Sequence, residues 1–344
     1  MKAMGTKASG FAEFRAGRRQ AVSLTQAALV KEQPLEGGMP LVIEPAVEGV
    51  NLAQWAGGHR EHIEEMLLRH GALLFRGFRL GGVERFEDVA RAVSPELLDY
   101  RERSSPRTEL SRGVYTSTDH PSDQSIHFHN EQSYTHSWPM KLWFYCAQPA
   151  EEGGATPIAD GRKVLSLIDP EARQRLIEKR VMYVRNYGDG LGLSWQTTFQ
   201  TNSRAEVEEY CRRAHIEVEW KSGNRLRTRQ IFDTIVTHPK TGESTWFEHA
   251  MFFNINSLAP EIREAITSEF DEEDLPSNTY YGDGTPLEDS LLAAIREAYD
   301  QSAVRFRWQK DDVLLIDNML TSHARDPYSG PRKIVVAMAE LYPK

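Results

Sequence analysis

Gln124-Ser-Ile-His-Phe-His-Asn-Glu-Gln132 is the stretch on which the reading of this chain turns. Alternate side chains of an extended segment point to one face. Read as a strand, the stretch presents His127, His129 and Glu131 together. A second stretch, Asp312-Val-Leu-Leu-Ile-Asp-Asn-Met-Leu-Thr-Ser322, is an apolar run that delivers His323. His129, Glu131 and His323 supply two imidazoles and one carboxylate, a donor set suited to non-haem Fe(II) with open coordination positions. Spacing alone leaves rivals open. His127 and His129 with His323 would suit zinc as readily, and all these side chains would also serve as hydrogen-bonded groups beside a cleft. His120 and His136 raise the local histidine density without a distinctive spacing.

Around these stretches the chain reads as strands with helices set between them. Residues 1–37 are polar and lack periodicity, which predicts a mobile or peripheral N-terminal arm, and 38–344 read as one domain. Helical spacing is predicted over 58–70, with Gly71 as its stop. Further helices are predicted at 83–93, 162–168, 171–179, 204–214, 260–269 and 287–300. Short strands are predicted at 41–45, 72–78, 141–147, 302–308, 312–317 and 334–341. The stretches 95–124 and 185–203 read as loops covering a site. The implied class is mainly β with helices (α+β): one β-barrel-like or jelly-roll core with outer helices and insertions.

Composition narrows the function. Of 344 residues, 50 are Asp or Glu and 41 are Lys or Arg, a net charge of −9. A general nucleic-acid binder would show a basic face instead. The basic clusters Arg101-Glu-Arg103 and Arg225-Leu-Arg-Thr-Arg229 are local and read as solvated surface or a patch near an anionic substrate. Two cysteines, Cys146 and Cys211, make no disulfide framework. Cys146 lies in an apolar run and reads as a buried, inert thiol. No run approaches a membrane span, and the first residues lack the apolar core of a signal peptide. These features predict a cytoplasmic enzyme that engages no nucleic acid and no membrane.

Several segments, in one order over residues 65–342, make the chain similar to the TauD/TfdA family of Fe(II)/2-oxoglutarate-dependent dioxygenases. They are Gly71-Ala-Leu-Leu-Phe-Arg-Gly-Phe78, His129-Asn-Glu-Gln-Ser-Tyr134, the Gly-Gly-x-Thr-Pro turn at 153–157, Trp308 to His323 with Asp312, Asp317 and Asn318 between, and Gly330-Pro-Arg-Lys-Ile334. Within the family the chain resembles the SyrP-like branch of amino-acid hydroxylases, in which Glu stands where the wider family has Asp.

The resemblance implies a double-stranded β-helix and the cosubstrates 2-oxoglutarate and O2. It implies His129, Glu131 and His323 as ligands of Fe(II). Glu131 favours hydroxylation, because related halogenases carry a small residue there. Thr156 and Arg332 are implied to hold 2-oxoglutarate, with Lys333 and Arg325 as neighbouring candidates for the cation. A second arginine common four residues further on is replaced here by Val336 or Ala337. The implied substrate is a small molecule, an amino acid, oxidised at the β-carbon, free or tethered to a peptidyl carrier protein; desaturation or cyclisation would use the same ligands. If the substrate is tethered, the basic stretch Arg225–Arg229 also reads as a face that could meet an acidic carrier protein. A zinc protein or a non-catalytic jelly-roll binding protein are the alternatives. Weaker expectations place Tyr115, Gln124, Asn130 and Ser133 near the substrate. Asn318 is expected to brace a turn, His127 to stand behind the ligands, and Trp195 and Phe199 to belong to core or cleft wall. His249 reads equally as a site residue or a core histidine.

Overall fold

Alternation along the strand Ser137–Gln148 sorts the molecule into two sides. Trp143 and Tyr145 point one way and pack with Leu52, Trp55, Ile63, Leu67, Phe86 and Val89 of the helices Leu52–Gly58, Arg60–His70 and Val83–Val93. Leu142, Phe144 and Cys146 point the other way, toward the interior. This is period-two patterning on a strand buried on both faces. The computed structural model describes residues 29–35, 37–99, 108–117, 120–188 and 193–343.

The strand lies within an eight-stranded sheet of order Val30–Pro34, Leu41–Pro45, Ala72–Phe75, Val313–Asp317, Ser137–Gln148, Lys333–Pro343, Val114–Thr116 and Glu109–Ser111. A smaller sheet runs Ala303–Val304, Ile158–Asp160, Thr321–Arg325 and Ile126–His129. Phe144, Ile334 and Val336 of the large sheet and Ile126, His129 and His323 of the small one line a common cavity. The two sheets therefore face each other across it, as in a jelly roll with helices outside. A third sheet, Glu217–Trp220, Leu226–Phe232, Val181–Tyr187 and Ser277–Tyr281, is inserted between the halves. Its Tyr183, Phe232 and Tyr281 share one apolar cluster with Phe128, Ala159 and Ala324 of the small sheet and with Ile295 and Tyr299 of the helix Asp289–Ser302.

Of the arm expected over 1–37, residues 1–28 and 36 lie outside the described residues, and Val30–Pro34 is the edge strand of the large sheet. Arg101-Glu-Arg103 and parts of both expected covering loops (100–107, 118–119, 189–192) also lie outside them. The helix expected over 58–70 is Arg60–His70, and a separate short helix, Leu52–Gly58, precedes it with His59 between. Of the strand expected over 302–308, only Ala303–Val304 finds a partner.

Gly71 ends its helix in the left-handed region, φ 72°. Its carbonyl accepts from Thr321 Oγ1 (2.8 Å) and from the Asp317 N–H (2.9 Å), which ties the helix end to the strand carrying His323. A Cβ there would stand 2.6 Å from Thr321 Oγ1. Gly71→Ala therefore meets both backbone strain and a clash. The expected loss is about 1–3 kcal/mol, read as a lowered denaturant midpoint at unchanged slope.

Candidate active site

Two strands of the small sheet bring the site together. His323 is the direct cross-strand partner of His129, and on its other side it faces Ile158. Directly opposed residues hold their Cβ atoms within about 5.5 Å, and here the two imidazole rings lie 4.3 Å apart. His129 Nδ1 donates to the His127 carbonyl (2.8 Å), so Nε2 is the nitrogen that would ligate a metal. Ligand atoms of His129, Glu131 and His323, all buried, lie within 4.8 Å of one another. No other such trio of His, Cys, Asp or Glu occurs among the described residues.

The route to this cluster differs from the one the sequence suggests. The strand stops at His129, and Glu131 sits in the turn that follows, where Gln132 takes φ 57°. Shared strand face is thus not what aligns Glu131 with His129. Between Arg325 and His323 the register slips, a step of two positions on one strand against a step of three from Ile126 to His129. A bulge of this kind re-aims side chains. Ile126 and His129 line the cavity, while the His127 ring turns to the Ser257 carbonyl (3.0 Å). The His127–His129–His323 arrangement that zinc would need is not formed. His136 lies against His215 and Phe232 instead.

Glu131 is held through its backbone. Asn318 Oδ1 accepts from the Glu131 N–H (2.8 Å), and Asn318 Nδ2 donates to the carbonyls of Glu131 and Pro139 (2.9 Å each). Asn130 Nδ2 donates to the Asn318 carbonyl (2.7 Å), and its Oδ1 accepts from Ser322 Oγ (3.0 Å) and the Glu248 N–H (3.1 Å). Two buried amides thus lock the turn after His129 to the turn before His323. Asp317 builds the second turn: its Oδ1 accepts from Met319 N–H and Leu320 N–H, and its Oδ2 from His238 Nε2 (3.1 Å).

The cavity beside the trio is lined by Thr156, Arg325, Arg332 and Val336 among others. Thr156 Oγ1 accepts from Trp308 Nε1 (3.1 Å) and Arg332 Nη2 (3.3 Å), and Arg332 Nε donates to the Gly154 carbonyl (2.9 Å). A Cβ at Gly154, φ 67°, would stand 3.0 Å from the Arg332 side chain, which explains a glycine in that turn. Burial and the nearby Arg325 lower the Arg332 guanidinium to about 10. Lys333 is exposed and does not line the cavity. Val336 stands on its wall where a second arginine was sought. Cys146 is buried, and burial pushes its thiol up to about 12.

Trp195 and Phe199 belong to a peripheral cluster with Tyr187, Val207 and Cys211. Tyr115 packs in the interior cluster of the large sheet, and Ser133 Oγ bonds the Asn130 carbonyl (2.9 Å) within the turn. The Gln124 carbonyl accepts from Arg325. His249 is a close neighbour of the trio: its ring lies edge-on to His129 at 4.7 Å, and its Nδ1 donates to the Asn130 carbonyl (3.2 Å). Sequence reasoning missed Glu248 beside it. Its carboxyl accepts from Tyr299 Oη (3.0 Å) and from the N–H groups of Ala250 and Met251. The signal was a lone carboxylate inside Trp246-Phe-Glu-His-Ala-Met-Phe-Phe253; its partner Tyr299 is distant in sequence.

Two measurements test this frame. Asn318→Ala leaves the Glu131 N–H and the Pro139 carbonyl buried without their partner, and a loss of at least about 2 kcal/mol is expected in chemical denaturation. Burial raises the Glu248 carboxyl to about 7 from an ordinary 4.5, against the hydrogen bonds it accepts. The folded state therefore favours its protonated form. Stability from this group is fully present below pH 4.5 and is lost as pH rises through 7. Relative to Glu248→Gln, the wild type should lose stability across that window, on the order of 3 kcal/mol; parallel stability–pH curves would contradict this.

Comparison with known proteins agrees with the geometry. Residues 33–338 match the family model "Taurine catabolism dioxygenase TauD, TfdA family". The chain is 37% identical over 314 residues to dapdiamide synthesis protein DdaC of Enterobacter agglomerans, covering 90% of this chain and 95% of that one. It is 29% identical over 308 residues to a clavaminate synthase-like protein of Arabidopsis thaliana, covering 86% and 89%. The crystal structure of PvcB from Pseudomonas aeruginosa superposes with a TM-score of 0.54 at 15% identity, covering 92% and 93%. AAD-2, solved with Mn(II) and N-oxalylglycine, gives 0.53 at 16%, covering 90% and 96%. The chain belongs to the TauD/TfdA family and is an Fe(II)/2-oxoglutarate-dependent dioxygenase.

Proposed function

We propose that the protein hydroxylates an unactivated C–H bond, at the β-carbon, of an amino acid that is free or carrier-tethered, in specialised peptide biosynthesis. The observation that carries this reading is the convergence of His129, Glu131 and His323 beside a cavity that also holds Thr156 and Arg332. In this reading His129 Nε2, a Glu131 carboxylate oxygen and His323 hold Fe(II). The planar fork of Arg332, with Thr156 beside it, suits the far carboxylate of 2-oxoglutarate. Bound together, metal and cosubstrate supply O2 activation coupled to decarboxylation of 2-oxoglutarate to succinate. The chain's own part is placement and shielding. Asn318 and Asn130 fix the turn that carries Glu131 to the turn before His323, and Phe144 and Ile334 wall the cavity.

Retention of Glu131 supports hydroxylation, and the similarity to a dapdiamide synthesis protein supports a biosynthetic role. With Val336 on the cavity wall, the substrate's own anion is held by a group other than a second arginine at that position. The Arg225–Arg229 stretch is a poor carrier dock. Arg227 and Arg229 pair with Glu217, Glu219, Glu273 and Asp274, and Arg225 lies 3.9 Å from Asp274. No helix among the described residues is long and apolar enough to cross a membrane.

The test is succinate release by anaerobically purified protein given Fe(II), 2-oxoglutarate and O2, across free and carrier-bound amino acids. One class of amino acid should stimulate succinate and gain one oxygen atom at its β-carbon, and His129→Ala should abolish both. Stimulation that persists in His129→Ala would overturn the ligand assignment; a product oxidised elsewhere would overturn the β-carbon. Arg332→Ala should raise the 2-oxoglutarate KM by roughly 10- to 100-fold, the range expected for a lost charge-assisted hydrogen bond, with Fe(II) affinity unchanged.

A further inference from the structure

We infer that Arg325 is a second cation of the cosubstrate seat and that it ties this seat to the loop feeding the His129 strand. The inference rests on the reading of the cavity just given. Ala324 N–H donates to the Pro157 carbonyl (2.9 Å) and Asp326 N–H to the Ala155 carbonyl (3.1 Å). These bonds set Arg325 opposite Thr156, while His323 faces Ile158. The cavity thus has two tiers: His129 with His323, and Arg325 with Thr156 and the Arg332 that reaches it. Both guanidinium carbons lie 5.3 Å from the centre of the Tyr328 ring.

Arg325 is only 6% exposed. Its Nη1 donates to the His120 carbonyl (3.0 Å), and its Nη2 to the carbonyls of Pro121 (2.5 Å) and Gln124 (2.6 Å). None of these acceptors carries a charge, and its buried Nε has no hydrogen-bond partner among the described residues. A brace for the loop accounts for the two terminal nitrogens. It does not account for a buried Nε, nor for a second cation on the wall of a carboxylate seat. Leaving such a donor unmet is costly, and bringing like charges together without an anion adds to that cost. A carboxylate has about four lone-pair sites and accommodates Arg332, Thr156 and Arg325 together. Because the same guanidinium grips residues 120–124, filling the seat fixes that loop.

The experiment is calorimetric titration of 2-oxoglutarate into anaerobic, Fe(II)-loaded wild type, Arg325→Lys, Arg325→Gln and Arg332→Lys, with Fe(II) affinity measured separately. Lysine keeps the charge and reaches the loop carbonyls but lacks Nε. Both Arg325 variants should bind 2-oxoglutarate roughly tenfold or more weakly, with Fe(II) affinity unchanged. In the wild type, 2-oxoglutarate should slow amide hydrogen exchange over 120–128, an effect lost in Arg325→Gln. Should Arg325→Gln fail to fold, Arg325→Lys decides. Weakened binding in Arg332→Lys with wild-type binding in the Arg325 variants would reduce Arg325 to a loop brace and overturn this inference alone. No binding by the wild type would overturn it together with the reading of the cavity.

Discussion

The pairing of Ile126–His129 with Thr321–Arg325 is the constraint on which the rest of the structure depends. A one-residue slip in a strand pair sends side chains to the opposite face, so the meeting of His129 and His323 needs this register and no other. Packing of Phe128 and Ala324 alone would not hold it against slippage, because most of the residues on the two strands are polar. The register is held by specific bonds. The side chains of Asn130 and Asn318 join the turn after His129 to the turn before His323, and Ser322 joins Asn130 from the second strand. Asp317 and Gly71 then fix the second turn to the large sheet and to the helix Arg60–His70.

This polar interior is possible because the apolar work is done elsewhere. The large sheet packs Trp143, Tyr145, Leu73 and Phe75 against three helices on one side. On the other it offers Leu142, Phe144, Ile334 and Val336 as an apolar wall. Phe144 lies 5.1 Å from the His323 ring, so that wall reaches the site. A rigid, dry wall is what preserves the strength of charged contacts within the cavity. The cations gather in the tier of Thr156 and the imidazoles in the tier of Ile158. That segregation gives the cavity a direction along which an elongated dianion would lie.

Much of the plan was legible from sequence because it is local. Helix spacing located Val83–Val93, Pro170–Lys179, Arg204–Arg213 and Pro260–Glu269 closely. The left-handed stop at Gly71 and the apolar runs 72–75, 141–147 and 313–317 were equally plain. The insertion between the two halves was visible as a loop over 185–203 and the helices after it, not as a four-stranded sheet, since most of its pairings join residues far apart. Glu248 and Tyr299 were missed for the same reason: neither has a local signature, and only contact makes them a pair.

The sequence by itself determined the chemistry on offer. Its histidines, its one glutamate in His-Asn-Glu and its arginines after His323 are matters of residue type and spacing. Tertiary structure decided which of them meet. The bulge beside Ile126 turned His127 away, and the turn rather than the strand carried Glu131 to His129. Folding also separated Arg332, the foremost candidate cation in the sequence, from its two neighbouring candidates: Lys333 exposed, Arg332 on Thr156, Arg325 across the 120–124 carbonyls. The physical reason is that strand alternation can be read from a chain, whereas register, bulges and side-chain reach are set by the partner strand.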